Sequence, residues 1–281
     1  MRALVLGGTG MLGGAVAALG RRYGHAVLAL GRNHADVTDA DRLSYWIDSW
    51  NPRVIINCAA FTRVDDCETE HAMAYAVNGT ALDPITEAAA KADADLIHVS
   101  TDYVFPGNAD TPYREDDPTD PPSVYGASKL DGETRALRYD RTLVVRTSWL
   151  FGPGGPNFVA TMRRLITTGK TPLRVVDDQV GCPTYTPFLA RALWQFATRD
   201  ARGIVHYANR HATSWHGFAT EIAQLVKPGT IVEPVPTSAF PRPAPRPAYS
   251  VLAVDRAESL LGRRVEPWSA GLDAYLNDKT I

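Results

Sequence analysis

Short apolar runs recur through the first two thirds of the chain, at residues 3–6, 26–30, 54–57, 96–100, 143–146 and 173–176. Each is rich in branched aliphatic residues and apolar on both faces, the pattern of a strand covered above and below. Between them, residues 11–22, 41–50, 72–90 and 124–139 carry apolar positions every three or four residues, which predicts helices. Alternation of this kind predicts an α/β fold in which a doubly wound parallel sheet is covered by helices on both faces. After about residue 150 prolines and glycines become denser, and short strand candidates such as 204–207 alternate with helices such as 214–226. No segment repeats at a fixed period.

At 281 residues and 45% hydrophobic content, the chain can bury the core of one large α/β domain with a smaller lobe attached. Its 29 basic and 31 acidic residues give a net charge of −2, which argues against a nucleic-acid footprint and leaves phosphate recognition to local groups. Cys58, Cys67 and Cys182 stand far apart with no C-x-x-C pair, so reduced, buried thiols are expected. The chain runs from Met1 and Arg2 straight into a strand, with no apolar stretch of membrane-spanning length. A cytoplasmic protein that engages neither membrane nor nucleic acid is expected. Residues 234–247 hold six prolines together with Arg242 and Arg246, and read as an extended arm over the surface rather than a ligand for a proline-recognising module.

Directly after the first strand comes Gly7-Gly8-Thr9-Gly10-Met11-Leu12-Gly13, opening onto a helix. Glycines let the backbone approach a pyrophosphate, and a helix N-terminus offers it free N–H donors and a favourable dipole. Strand, turn and helix in this order therefore predict a Rossmann dinucleotide site. The second strand ends in Leu30-Gly31-Arg32-Asn33, without the acidic residue that would accept from a free ribose. Arg32 offers a guanidinium suited to a 2′-phosphate, so NADPH is the expected cofactor, with NADH the alternative. Asp36 and Val37 are expected near the adenine. The expected organisation is an NADP-binding Rossmann domain over residues 1–150, with later elements from about 151–230 returning to it, and a small C-terminal α/β substrate lobe drawn from about 151–281.

The fourth strand ends in Ser100-Thr101-Asp102-Tyr103, and a helix downstream begins near Tyr125-Gly126-Ala127-Ser128-Lys129. Residues four apart share a helix face, so Lys129 is expected beside Tyr125, lowering a phenol that ordinarily titrates near about 10. Tyr125 then serves as general acid in a reduction. Thr101, at the carboxyl end of a parallel strand, is placed to hydrogen-bond a substrate carbonyl.

These residues resemble the extended short-chain dehydrogenases, and in particular the dTDP-4-dehydrorhamnose reductase family. The likeness runs over nearly the whole chain: residues 7–13, 57–65, 77–80, 100–107, 125–129, 146–149, 177–179 and 246–250. It implies that Ala59, Ala60 and Thr62 line the cofactor, and that Ser100, Tyr125 and Lys129 hold its nicotinamide end. It further implies that Val64, Thr101, Asp102, Tyr103, Tyr125 and Trp149 surround a sugar, with Trp149 shaping the hexose pocket and Asn157 and Gln179 facing the nucleotide. Some members bind magnesium through glutamates at a dimer contact. The matching positions here are Ala15 and Pro187, neither of which can ligate a hard cation, so no metal and a monomer or weak homodimer are expected.

The implied activity is reduction of the 4-keto group of a dTDP-4-dehydro-6-deoxyhexose, foremost dTDP-4-dehydro-L-rhamnose. Another nucleotide-deoxysugar ketoreductase, including a dihydrostreptose-type synthase, and a non-catalytic NADP-binding regulatory subunit are the alternatives. The series His206, His211, His216 has a five-residue spacing that does not align on a helix, and solvent or cap roles are expected. Glu115, Asp116, Asp117 and Asp120 lie among prolines and read as a solvated loop.

Overall fold

The computed structural model describes residues 1–278. Six strands form one parallel sheet: β1 (Arg2–Leu6), β2 (Ala26–Leu30), β3 (Val54–Asn57), β4 (Asp95–Thr101), β5 (Thr142–Thr147) and, much later, Gly203–His206, in the order β2-β1-β3-β4-β5 and then that late strand. Side chains alternate between its two faces. Ala3, Val5, Val54, Ile56, Ile97, Val99, Leu143 and Val145 pack on α1 (Met11–Arg22) and a helix at Thr186–Ala197. Leu4, Leu6, Ile55, Leu96 and Val144 pack on α2 (Ala40–Trp50) and the helix Leu82–Lys91.

The sequence predicts one helix over residues 72–90, and the structure breaks it. Following α3 (Val64–Cys67), it consists of α4 (His71–Tyr75), a π turn over Ala76–Thr80, and α5 (Leu82–Lys91). The cause is Asn78, whose side chain leaves the helix to accept from Phe61 N at 2.8 Å and donate to Phe61 O at 3.1 Å and Ser128 Oγ at 3.0 Å. One buried amide thus ties the loop after β3 to α6 (Val124–Ala136), the helix that carries Tyr125 and Lys129. Arg146 on β5 fixes the far end of α6 through a buried ion pair with Glu133 at 2.8 Å.

The second lobe is assembled from β6 (Leu150–Phe151), α7 (Phe158–Thr167), β7 (Leu173–Val176), β8 (Val180–Gly181), β9 (Thr184–Tyr185) and elements after α8 (Thr186–Ala197) and β10 (Gly203–His206). Those later elements are β11 (Thr213–Ser214), α9 (Trp215–Val226), β12 (Val232–Val235), α10 (Asp255–Leu261) and α11 (Trp268–Leu276). Here the strand at 173–176 departs from the expectation of a continuous main sheet: it pairs with β12 in a separate ribbon. Arg174 explains this, since it leaves one face of β7 wet while Leu173 and Val175 are buried. Phe151, Val159, Met162, Val175, Phe218, Ile222 and Leu272 form the lobe's own core. Among the described residues, no helix is long and apolar enough to cross a membrane.

The contact between α6 and the π turn permits no side chain at residue 132: a Cβ on Gly132 would lie 2.0 Å from Asn78 O. Gly132→Ala should therefore cost about 2 kcal/mol through overpacking, which chemical denaturation will measure. A midpoint equal to that of the parent would contradict this packing.

Candidate active site

The strand order reverses once, between β1 and β3, and ligands of open α/β sheets bind at the carboxyl ends of strands beside such a reversal. Here the glycine turn meets the end of β3. Gly7 has φ +70°, and a Cβ there would stand 2.7 Å from Ala59 N; one on Gly13 would meet Gly7 O at 2.2 Å. Only hydrogen fits. The turn opens into a cleft of about 230 Å³ lined by Gly7, Gly10, Arg32, Asp36, Val37, Ala59 and Ala60, which the sequence singled out, and by Thr9, Ala35, Cys58, Phe61 and Val77, which it did not. Leu12 is buried in the core and Thr62 is exposed, so neither side chain lines the cleft; Met11 touches Asn157 instead, Sδ to Nδ2 at 3.9 Å. Asp36 is anchored by Thr38 N at 3.0 Å and the Thr38 hydroxyl at 2.8 Å, and is paired with Arg32 at 3.1 Å. Its carboxyl is held below the ordinary range, first by the Thr38 N–H. Arg32 keeps most of its side chain exposed. A glycine cradle, helix-end N–H groups and one exposed guanidinium fit a phosphorylated dinucleotide.

Beside the cleft, Thr101 ends β4 with its hydroxyl next to the Tyr125 phenol. That hydroxyl also donates to Asp102 Oδ1 at 3.0 Å and accepts from Tyr103 N at 3.2 Å. The Tyr103 ring meets Tyr125 edge-on, centroids 5.5 Å apart, and Val64 packs against the same apolar cluster. Ser100 is buried with its Oγ unbonded, a free polar group facing this site's edge of the sheet. The expected lowering of Tyr125 by Lys129 does not occur. Burial pushes the phenol well above its ordinary value, with only the Thr101 hydroxyl opposing it. Lys129 Nζ instead donates to Val99 O at 2.8 Å and lies 3.4 Å from His98 Nε2, turned toward the strand. Burial pushes that ammonium down to about 8. Asp102 is buried too, and its carboxyl is pushed up to about 6 against the pull of the Ser250 and Thr101 hydroxyls.

Beyond Tyr103 opens a cavity of about 800 Å³, walled by Phe158, Trp215, Gln179, Arg174 and the proline-rich segment with Arg242 and Arg246. The proline-rich arm stays largely exposed, and its residues between 237 and 246 also form one wall of this cavity. Asp178 fastens the segment at one end by accepting from Thr237 N and, at 2.6 Å, from its hydroxyl. Asp65, on α3, holds the other end, accepting from Arg246 Nη2 at 2.9 Å and Ala244 N at 3.3 Å. The two arginines set among those prolines were the available signal.

Two residues expected at the ligand have partners within the chain. Asn157 caps α7: its Oδ1 accepts from Ala160 N at 3.0 Å and its Nδ2 donates to Gly152 O at 2.9 Å and Gly155 O at 3.1 Å. Its amide also donates to the Tyr275 hydroxyl at 3.2 Å. Trp149, held at φ +46°, lies behind Trp215 in a flush stack with centroids 3.5 Å apart, and it is Trp215 that lines the cavity. Gln179 does line it, donating to Thr237 Oγ1 at 2.9 Å. His206 is buried, not solvent-facing: it bonds Tyr113 O at 3.1 Å and is pushed down to about 3, chiefly by burial. Glu115, expected in solvent, accepts from His206 N at 3.0 Å.

A parallel sheet with one reversal, a glycine turn in its crevice and a buried tyrosine–lysine helix alongside define a short-chain dehydrogenase of the Rossmann type. The chain belongs to the RmlD substrate binding domain family, which it matches over residues 1–281. It is 43% identical over 279 residues to a dTDP-4-dehydrorhamnose reductase of Streptomyces griseus, covering 96% of this chain and 91% of that one. A crystal structure of a dTDP-4-dehydrorhamnose reductase from Clostridium acetobutylicum superposes with a TM-score of 0.95 at 35% identity, over 100% of both chains. That of a Bacillus anthracis dTDP-4-dehydrorhamnose reductase in complex with NADP gives 0.94 at 32% identity, over 98% of each.

The raised Asp102 carboxyl makes stability depend on pH. An unfolded aspartate titrates near about 4. The folded chain holds this proton more tightly, so the group's contribution is full below that pH and lost as pH rises through about 6. Asp102→Asn should match the parent's pH dependence with this step removed, gaining up to about 3 kcal/mol on the parent between pH 4 and 7.5. Denaturant midpoints at both pH values check it, and a constant gap would contradict the assignment.

Proposed function

We propose that this protein reduces the 4-keto group of a dTDP-4-dehydro-6-deoxyhexose with NADPH, converting dTDP-4-dehydro-L-rhamnose to dTDP-L-rhamnose. The observation that carries the reading is the meeting of Thr101 and Tyr125 between a dinucleotide-shaped cleft and a cavity walled by aromatic rings and arginines. Printed names of relatives, and NADP in the Bacillus anthracis structure, support it.

When bound, the reduced dinucleotide supplies the hydride. The chain's own residues do the rest. Arg32 holds the 2′-phosphate, while Gly7, Gly10 and the first-turn N–H groups of Met11 and Leu12 hold the pyrophosphate. Ala59, Ala60 and Val37 provide apolar walls, and Ser100 and Lys129 hold the nicotinamide end. Thr101 and Tyr125 grip the substrate carbonyl oxygen. Because burial keeps the phenol protonated at neutral pH, Tyr125 has a proton to give to that oxygen as negative charge develops. Val64, Asp102 and Tyr103 surround the sugar. Arg174, Arg242 and Arg246 neutralise the diphosphate, and the exposed face of Trp215 and the Gln179 amide receive the nucleoside.

Mixing the protein with NADPH and a panel of dTDP-4-keto sugars, while following loss of the reduced-nicotinamide absorbance, tests the reading, and NMR of the product fixes its C4 configuration. No turnover with any of them would refute it. Tyr125→Phe should lower kcat by about 100-fold or more with NADPH binding retained. Arg32→Ala should cut kcat/KM for NADPH about 10-fold or more while sparing NADH, and an unchanged ratio would remove the phosphate role.

A further inference from the structure

Beneath the helix that carries Tyr125 runs a chain of buried hydrogen bonds with a fixed direction. It begins at the Ala59 backbone N–H, which donates to Asn57 Oδ1 at 3.0 Å. That bond settles the orientation of the amide, so Asn57 Nδ2 faces His98 Nδ1 at 3.2 Å. An amide nitrogen only donates, and His98 Nδ1 must therefore accept. His98 has no exposed surface, and its charged form is disfavoured first by burial and then by the charge of Lys129. A neutral imidazole carries one proton, and with Nδ1 accepting, that proton sits on Nε2. Nε2 lies 3.4 Å from Lys129 Nζ, whose other contact is its bond to Val99 O at 2.8 Å.

The consequence differs for the two states of the lysine. An ammonium has three protons and no lone pair, so it meets the imidazole N–H donor to donor. A neutral amine has a lone pair and accepts that N–H while still donating to Val99 O. We propose that His98, held in its Nε2–H form by Asn57, is a positioning residue that biases Lys129 toward the neutral amine, so that the lysine does not stand as a permanent cation.

The remaining surroundings of Lys129 are consistent with this. On its own helix stand Tyr125, which remains a neutral phenol, and Glu133, whose carboxylate is already paired with Arg146 from β5. From the end of β3 comes Cys58, a thiol pushed up to about 12 by burial and so uncharged. Asp102, past the end of β4, and Cys67 on α3 act on Tyr125. Burial outweighs the favourable pull of Glu133 on the ammonium. The effect on turnover rests on the reductase reading above, whereas the tautomer and the lysine titration do not.

The test is long-range proton–nitrogen NMR on histidine-labelled full-length protein at pH 7, with His98 assigned by its loss in His98→Gln. The Nε2–H pattern is expected; an Nδ1–H pattern or an imidazolium overturns the proposal. Asn57→Asp places an acceptor opposite Nδ1 and should switch His98 to the Nδ1–H form, leaving Nε2 to accept from the ammonium. The Lys129 titration, read from its labelled Cε resonance, should then move up by about one pH unit or more. His98→Leu removes the facing N–H without adding charge and should move the titration the same way. An upward shift in Asn57→Asp alone would assign the effect to the new charge and overturn the proposal. The same shift in the pH profile of kcat, in the variants that fold, ties the device to the reaction. Titrations that move while no keto sugar is turned over would uphold the tautomer and defeat only the assigned reaction.

Discussion

A lysine side chain with 2% of its surface exposed is the most demanding group this fold accommodates. Taking an ammonium out of water costs several kcal/mol unless charge or hydrogen bonds replace the lost hydration. The replacements come from different parts of the chain: a carbonyl of β4 and a helix neighbour, Glu133, balanced by an arginine of β5. None can be supplied unless α6 lies flat on the sheet at one depth. The Asn78 amide and the bare Gly132 set that depth, so the π turn, the loop after β3 and the helix of Tyr125 and Lys129 form one rigid block. Thr101 reaches this block at the end of a strand buried along its whole length. The geometry of the site is thus inherited from a packing constraint lying underneath it.

The two recesses flanking that block differ in how they are made. The dinucleotide cleft is backbone: glycines, a helix end and small side chains at a reversal in strand order. The larger cavity is made of side chains carried by the second lobe, with arginines and rings on short elements and on an extended segment. The first follows from the topology of the sheet. The second follows from particular residues.

Much of the sheet and half of the site could be read from the chain because their signals are local. The glycine turn lies within seven residues, and Tyr125 and Lys129 lie one helical turn apart. What escaped needed a partner distant in sequence. Asn78 looks like an ordinary helix residue until Phe61 and Ser128 are beside it. Asn157 resembles a ligand residue until α7 begins at it, and Trp149 resembles a pocket wall until Trp215 covers it. His98 sits in an apolar strand and gives no sign of its neighbours. The phenol's acidity was misjudged for the same reason: spacing brings Lys129 to the correct face, but whether its charge points at Tyr125 depends on acceptors supplied by β4.

The proline-rich wall is fastened on both sides of the cavity, to Asp178 in the lobe and to Asp65 on the sheet domain. Its guanidinium at Arg246 therefore arrives already neutralised by a carboxylate. An incoming polyanion would not fall into a bare positive field; it would have to exchange places with a resident counter-ion. Part of the attraction is spent on releasing Asp65, which weakens the hold on singly charged solutes more than on those bearing a second charge. A carboxylate that appears to compete with the ligand thus acts as a threshold, setting how much charge a visitor must carry before it displaces what is already there.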